Sequence, residues 1–158
     1  MKVRQLRTGD LGVGLAGEVL FTGGVGSCVV VCLWDASKRA GGMAHMLLPK
    51  DESEGRDILR SPGLSPDTAV AKLLEKLAKY GSNAATLSAR LAGAGYMFGE
   101  SMREIPERNL QSTLEVLKRH RIRVVSQSVG GIDGLQVRFD IGLGEVEVTK
   151  VSGERILL

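Results

Sequence analysis

A chain of 158 residues, 43% of them hydrophobic, has the length of one domain and enough apolar material to bury a core. Its 21 basic and 18 acidic residues leave a net charge of +3 that is spread along the sequence and not gathered in a block, which argues against nucleic acid as a partner. The longest apolar run, Cys28 to Trp34, is strand-sized against the ~18 residues a bilayer demands, and Gly12, Gly14, Gly17 and Glu18 interrupt the segment after Lys2, Arg4 and Arg7; no membrane insertion, no secretory leader and a cytoplasmic location are expected.

With 21 glycines and only 4% aromatics, the core should be aliphatic and the chain should turn often. Glu18 to Thr22 reads as a short strand. It enters the glycine-rich turn Gly23-Gly24-Val25-Gly26-Ser27, which passes directly into Cys28 and the apolar run Val29 to Trp34. Asp35 to Gly41 is a polar connection, and Gly42 to Leu48 is a second strand ended by Pro49. Both runs are apolar on both faces, which places them inside a layered fold. Asp51 to Ser65 should be a surface loop. Ser65 then caps a helix with Pro66 in its first position, and Val70, Leu73, Leu74 and Leu77 form its core stripe as far as Gly81.

Thr86 to Tyr96 reads as a strand with glycine interruptions. A second helix begins near Pro106, sets Leu110, Leu114 and Leu117 on one side, and ends in the basic cluster Lys118 to Arg121, which suits the negative end of the helix dipole. Leu135, Val137, Phe139 and Ile141 alternate with polar residues, Gly142-Leu143-Gly144 reads as a hairpin loop, and Glu145 to Val148 resumes the alternation. Ile122 to Val151 is accordingly expected to be a three-strand meander. Together these elements predict an α+β fold, a layered sandwich of mixed β-sheets with two main helices packed outside, as a single domain over residues 1–158.

Two cysteines and two histidines limit the chemistry. On one strand Cys28 and Cys32 would stand roughly 13 Å apart, beyond disulfide reach, and a zinc site would need carboxylates to complete it, so neither a disulfide nor a metal is expected. Cys28 follows a flexible turn whose backbone N–H groups, those of Gly26, Ser27 and Cys28, are placed to bind an oxyanion, as a cysteine hydrolase requires. A base must come from His120, which sits among Arg119 and Arg121 at a solvated helix end, or from His45, alone in the strand next to the cysteine strand. Cys32, inside the apolar run, reads as packing. On the residues alone, a buried inert thiol and a core histidine satisfied by a carbonyl explain Cys28 and His45 at least as well as catalysis does.

The string Gly26-Ser27-Cys28-Val29-Val30-Val31-Cys32-Leu33-Trp34-Asp35, followed by Gly41-Gly42-Met43-Ala44-His45-Met46-Leu47-Leu48-Pro49, closely resembles the signature of the CheD family of chemoreceptor glutamine deamidases. The resemblance continues through Arg108-Asn109, Gly130-Gly131 and Gly144-Glu145-Val146. The chain departs from the family's usual pattern at Ile105-Pro106-Glu107-Arg108-Asn109, at Gln127-Ser128, at Leu64-Ser65-Pro66-Asp67 and at Ala92-Gly93-Ala94-Gly95.

The resemblance implies a catalytic set of Cys28, His45 and Thr22 that needs no cofactor, with the Thr22 hydroxyl orienting the imidazole. It implies hydrolysis of glutamine side chains to glutamate on methyl-accepting chemotaxis receptors through a thioester, with glutamate methyl esters as chemically reasonable side substrates. A CheC-type phosphatase is implied as a possible regulatory partner. Two other readings stay open at this point: a non-catalytic module that regulates receptors or the phosphatase by occupancy, and a redox-sensing protein that uses Cys28 and Cys32.

Overall fold

The computed structural model describes residues 1–47 and 61–158. In chain order the strands and helices are β1 (Lys2–Gln5), β2 (Leu11–Leu15), β3 (Glu18–Val25), β4 (Val29–Asp35), β5 (Ala40–Met46), α1 (Pro66–Ala78), β6 (Ser88–Gly93), α2 (Glu104–Arg119), β7 (Arg123–Val129), β8 (Leu135–Asp140), β9 (Glu145–Lys150) and β10 (Arg155–Leu157). The predicted strand end at Leu48 and Pro49, and most of the loop expected from Asp51 to Ser65, lie outside the described residues.

Among the described residues ten strands form two five-stranded sheets, in the orders β1-β3-β8-β9-β10 and β2-β5-β4-β6-β7. Each is mixed, because β1 runs parallel to β3 and β6 parallel to β7 while the other pairs are antiparallel. β4 lies at the centre of the second sheet and is apolar on both sides because both sides are covered. Val30 and Cys32 pack with Leu20, Val137 and Phe139 of the first sheet. Val29, Val31 and Leu33 pack with Val70, Leu73 and Leu77 of α1 and with Val116 and Leu117 of α2. The layers are therefore sheet, sheet and helices, and the expected α+β sandwich is the fold. Both helices cover the outer face of the second sheet.

Several local expectations change. Gly23 and Gly24 do not end the first long strand. β3 runs on to Val25 through an irregular pairing with β8 between Thr22 and Val25, made possible by Gly24 at φ +62°, and the true turn is Gly26 to Cys28. Ile122 to Val151 is not one meander. β7 leaves for the second sheet, where it pairs parallel to β6 with α2 as the crossover between them, and the consecutive antiparallel strands are β8, β9 and β10. Alternation identifies a half-buried strand but carries no information about which edge it joins.

α2 is turned relative to the expected leucine stripe: its buried residues are Pro106, Asn109, Thr113, Val116 and Leu117, and Leu114 is exposed. The strands β1, β2 and β10 were not foreseen, being short, glycine-broken or exposed. α1 starts at Pro66 as expected, although Ser65 makes no side-chain cap and its hydroxyl donates to the Asp67 carboxylate at 2.9 Å.

The two sheets approach closely where Gly41 of β5 passes under Phe139 of β8. A methyl group on Gly41 would lie 2.8 Å from the Phe139 ring and 2.8 Å from the Leu33 carbonyl oxygen, and the carbonyl belongs to the pairing strand and cannot swing away. Gly41→Ala should therefore lower unfolding free energy by about 1–3 kcal/mol in urea denaturation, the cost of overpacking a tight core. A midpoint unchanged from wild type would mean that the sheets have slack at this contact.

Candidate functional site

Strand parity decides which side chains meet. Val30 of β4 pairs directly with His45 of β5, so the two share a face, and Cys28, in the turn two residues before Val30, has the same parity and lines a cleft with Leu135 of the first sheet. The face of Val30 and His45 is turned toward the first sheet. From that sheet Thr22 of β3 comes to meet it. Thr22 and His45 are fully buried, and Cys28 is 7% exposed.

The Thr22 hydroxyl lies 2.7 Å from His45 Nδ1 and donates to the Leu6 carbonyl at 2.8 Å. A hydroxyl has one proton. Since Thr22 gives its proton to Leu6, it accepts from His45, and the network assigns the ring hydrogen to Nδ1. Nε2 is left as the bare, basic nitrogen, and it is buried with no hydrogen-bond partner among the described residues. The backbone holds the same strand in place, with Gly9 N–H donating to the His45 carbonyl at 2.7 Å and His45 N–H to the Asp10 carbonyl at 3.1 Å.

Burial sets the electrostatics. Desolvation pushes the His45 imidazolium below its ordinary pKa of 6.5, and the nearby Asp10 carboxylate partly opposes this. Desolvation likewise raises the Cys28 thiol above its ordinary value of 9.0, with the backbone N–H of Cys28 working in the other direction. Both shifts favour the uncharged forms at neutral pH. Cys28 and His45 share no hydrogen bond among the described residues; Cys28 lies in the turn before β4, two residues from Val30, the cross-strand partner of His45.

Cys28 opens onto a cleft of about 690 Å³ whose walls include Gly26, Ser27, Met97, Phe98, Leu135 and Val151. The turn that carries it is fastened through its carbonyls. Gly95 N–H donates to Gly26 O at 2.9 Å, Ala94 N–H to Cys28 O at 2.7 Å, and the Asn109 side chain to Ser27 O at 3.0 Å. Gly93, at φ +112°, lies so close over the Cys28 carbonyl that any Cβ would collide with it. The N–H groups of Gly26, Ser27 and Cys28 take no part in hydrogen bonds to other described residues.

Of the residues singled out from sequence, Thr22 and His45 are in contact, Cys28 lies in the turn that leads into the strand paired with that of His45, and Gly26 and Ser27 belong to the same turn. His120 is the C-cap of α2, far along the chain from this cluster and on the helix layer, and Cys32 is a core residue beside Met43. Neither cysteine is in a disulfide. Missed from sequence were Leu6, whose carbonyl fixes the tautomer, and Asn109. A polar residue inside the buried stripe of α2 was the available signal for Asn109; a backbone acceptor such as Leu6 leaves none.

The tautomer is directly observable. In 15N-detected NMR at pH 7.5, His45 should carry its proton on Nδ1, and Thr22→Val, which removes the acceptor at constant shape, should mix the two tautomers. A wild-type ring protonated on Nε2 would contradict the hydrogen-bond chain.

Comparison with known proteins gives a consistent result. Residues 47–150 match the family model described as CheD chemotactic sensory transduction, a match that begins just after the strand bearing His45. The "Probable chemoreceptor glutamine deamidase CheD" of Methanococcus vannielii is 37% identical over 151 residues, 94% of this chain and 95% of the relative. The "Chemoreceptor glutamine deamidase CheD" of Thermotoga maritima is 37% identical over 135 residues, 85% of this chain and 83% of the relative. The solved structure of the hypothetical protein YfiH of Bacillus licheniformis is similar over 76% of this chain and 49% of its own at 13% identity and a TM-score of 0.47, too remote a likeness to carry functional weight. Similarity over nearly the full length of curated relatives, with two thirds of the chain matching the family model, shows that the chain belongs to the CheD family.

Proposed function

We propose that this protein deamidates glutamine side chains on methyl-accepting chemoreceptors, with Cys28 as nucleophile, His45 as general base and acid, and Thr22 holding the imidazole. The observation that carries the reading is the hydrogen-bond chain from His45 Nδ1 through Thr22 to Leu6, because it leaves Nε2 unprotonated on the strand paired with the one that Cys28 leads into. A histidine kept only for packing has both ring nitrogens satisfied, because a buried polar atom without a partner costs stability. This one keeps a buried basic nitrogen without a partner, one strand away from a thiol that borders a cleft.

Burial favours a neutral resting pair, so thiolate forms only as attack begins. His45 Nε2 removes the Cys28 proton while sulfur bonds to the glutamine carboxamide carbon, and the N–H groups of Gly26, Ser27 and Cys28 are the donors available to the oxyanion. The imidazolium, whose Nδ1–H stays hydrogen-bonded to the Thr22 oxygen, returns the Nε2 proton to the departing nitrogen. Ammonia leaves and a thioester remains. A water activated by Nε2 then releases glutamate and restores the thiol. The same steps cleave a glutamate methyl ester with methanol as leaving group. No step calls on a metal or organic cofactor. A CheC-type phosphatase is the further partner we draw from the family resemblance.

With a receptor cytoplasmic fragment as substrate, Cys28→Ala should abolish ammonia release, and His45→Ala should reduce it by about 10²–10⁴-fold, the usual worth of a positioned base. Receptor glutamines that are converted equally well by Cys28→Ala would leave the protein as a binding module.

The rate should also depend on pH in a definite direction. His45 works as a base only when neutral, so kcat/KM should rise with pH along an acid limb centred below 6.5 and level off through neutrality. The Asp10 carboxylate favours the imidazolium, so Asp10→Asn, which keeps the backbone contacts, should move that limb to still lower pH. A limb that moves upward would show that Asp10 does not act on His45 in this way.

A further inference from the structure

The buried face of α2 is polar where it meets the Cys28 turn. Asn109 is 2% exposed, and its Nδ2 donates to two backbone carbonyls, Ser27 O at 3.0 Å and Leu47 O at 3.2 Å. The amide cannot be turned round, since the reverse placement would set Oδ1 against both oxygens. Oδ1 is itself buried and makes no hydrogen bond among the described residues. For packing alone, an aliphatic side chain would serve this position better.

We propose that Asn109 is a positioning residue for acyl transfer: by holding the Ser27 carbonyl it aims the Cys28 N–H into the cleft as an oxyanion donor. The inference rests on the reading of Cys28 as the nucleophile. In a trans peptide the C=O of Ser27 and the N–H of Cys28 point in opposite directions, so fixing the first fixes the second. The Gly26 carbonyl, held by Gly95 N–H at 2.9 Å, directs the Ser27 N–H in the same manner. Of these fastenings the Asn109 bond is the one made by a side chain. Its second hydrogen bond, to Leu47 two residues beyond His45, ties the nucleophile turn and the base strand to a single group. A donor set in place before charge develops needs no reorganisation during the reaction, which is where such donors gain their effect.

Two reagents separate this role from a merely structural one. Acylation of Cys28 by p-nitrophenyl acetate passes through an oxyanion, whereas alkylation by iodoacetamide is a direct displacement at carbon and forms none. Cys32, 2% exposed, contributes a background that Cys28→Ala measures.

In the full-length protein, Asn109→Leu and Asn109→Ala should slow acylation by about tenfold or more, a part of what loss of a whole oxyanion donor costs, while leaving the alkylation rate within about twofold of wild type. Thr113→Val, buried on the same face and bonded through its hydroxyl to the Asn109 carbonyl at 2.8 Å, controls for loss of stability and should leave both rates unchanged. Equal falls in acylation and alkylation, or an acylation rate like that of wild type, would overturn the role. Neither reagent requires a receptor, so failure to release ammonia from receptor glutamines would strike the proposed substrate and not Asn109.

Discussion

A buried imidazole must be neutral or partnered, and His45 satisfies both conditions with one hydrogen bond that crosses from one sheet to the other. Its Nδ1–H donates to the hydroxyl of Thr22 in β3, which can accept because its own proton is donated to the Leu6 carbonyl. The bond exists only if the two sheets are packed at the correct distance and register. That spacing is set by the core between them, where Phe139, Leu20 and Val137 face Val30, Cys32 and Met43, and where Gly41 yields room for the Phe139 ring. Packing and the ring's protonation state are thus one arrangement seen from two sides.

The same burial that makes the hydrogen bond strong also favours the uncharged forms of Cys28 and His45. Many reactive cysteines are activated in advance, by a helix N-terminus or a neighbouring cation, and stand as thiolates. Here desolvation acts against both charged forms, on the thiol and on the imidazolium. In the proposed mechanism a neutral pair moves its proton only when a substrate carbonyl arrives to receive the electron pair from sulfur. Such a thiol is protected from casual oxidation and alkylation, and reactivity then depends on the preset donors of the turn more than on thiolate concentration.

Some of this was legible without coordinates because it is local. Glycines followed by Cys28 and an apolar run force a turn into a buried strand, and Pro66 with the Val70, Leu73 and Leu77 stripe forces a helix whose start was read correctly. The β8 and β9 hairpin announced itself by strict alternation around Gly142-Leu143-Gly144. The glycine-rich turn was read three residues too early, since an irregularity in the pairing lets β3 continue through Gly23, Gly24 and Val25. β7 was given to the wrong sheet, because a parallel partner reached through a helix leaves no local mark.

By itself the sequence determined the catalytic candidates and their spacing: a thiol at a turn-to-strand junction and a histidine one strand away, within strings that resemble a single family. Only the tertiary structure decided which nitrogen of His45 is basic, that burial favours the neutral form of both groups, and that Asn109 from a distant helix grips the Cys28 turn. Residue order specifies strands and turns through short-range sterics and periodicity. The proton on a ring and the direction of a peptide N–H depend on hydrogen-bond partners that lie 16, 23 or 82 residues away along the chain, and only sheet-on-sheet and helix-on-sheet packing brings those groups within reach.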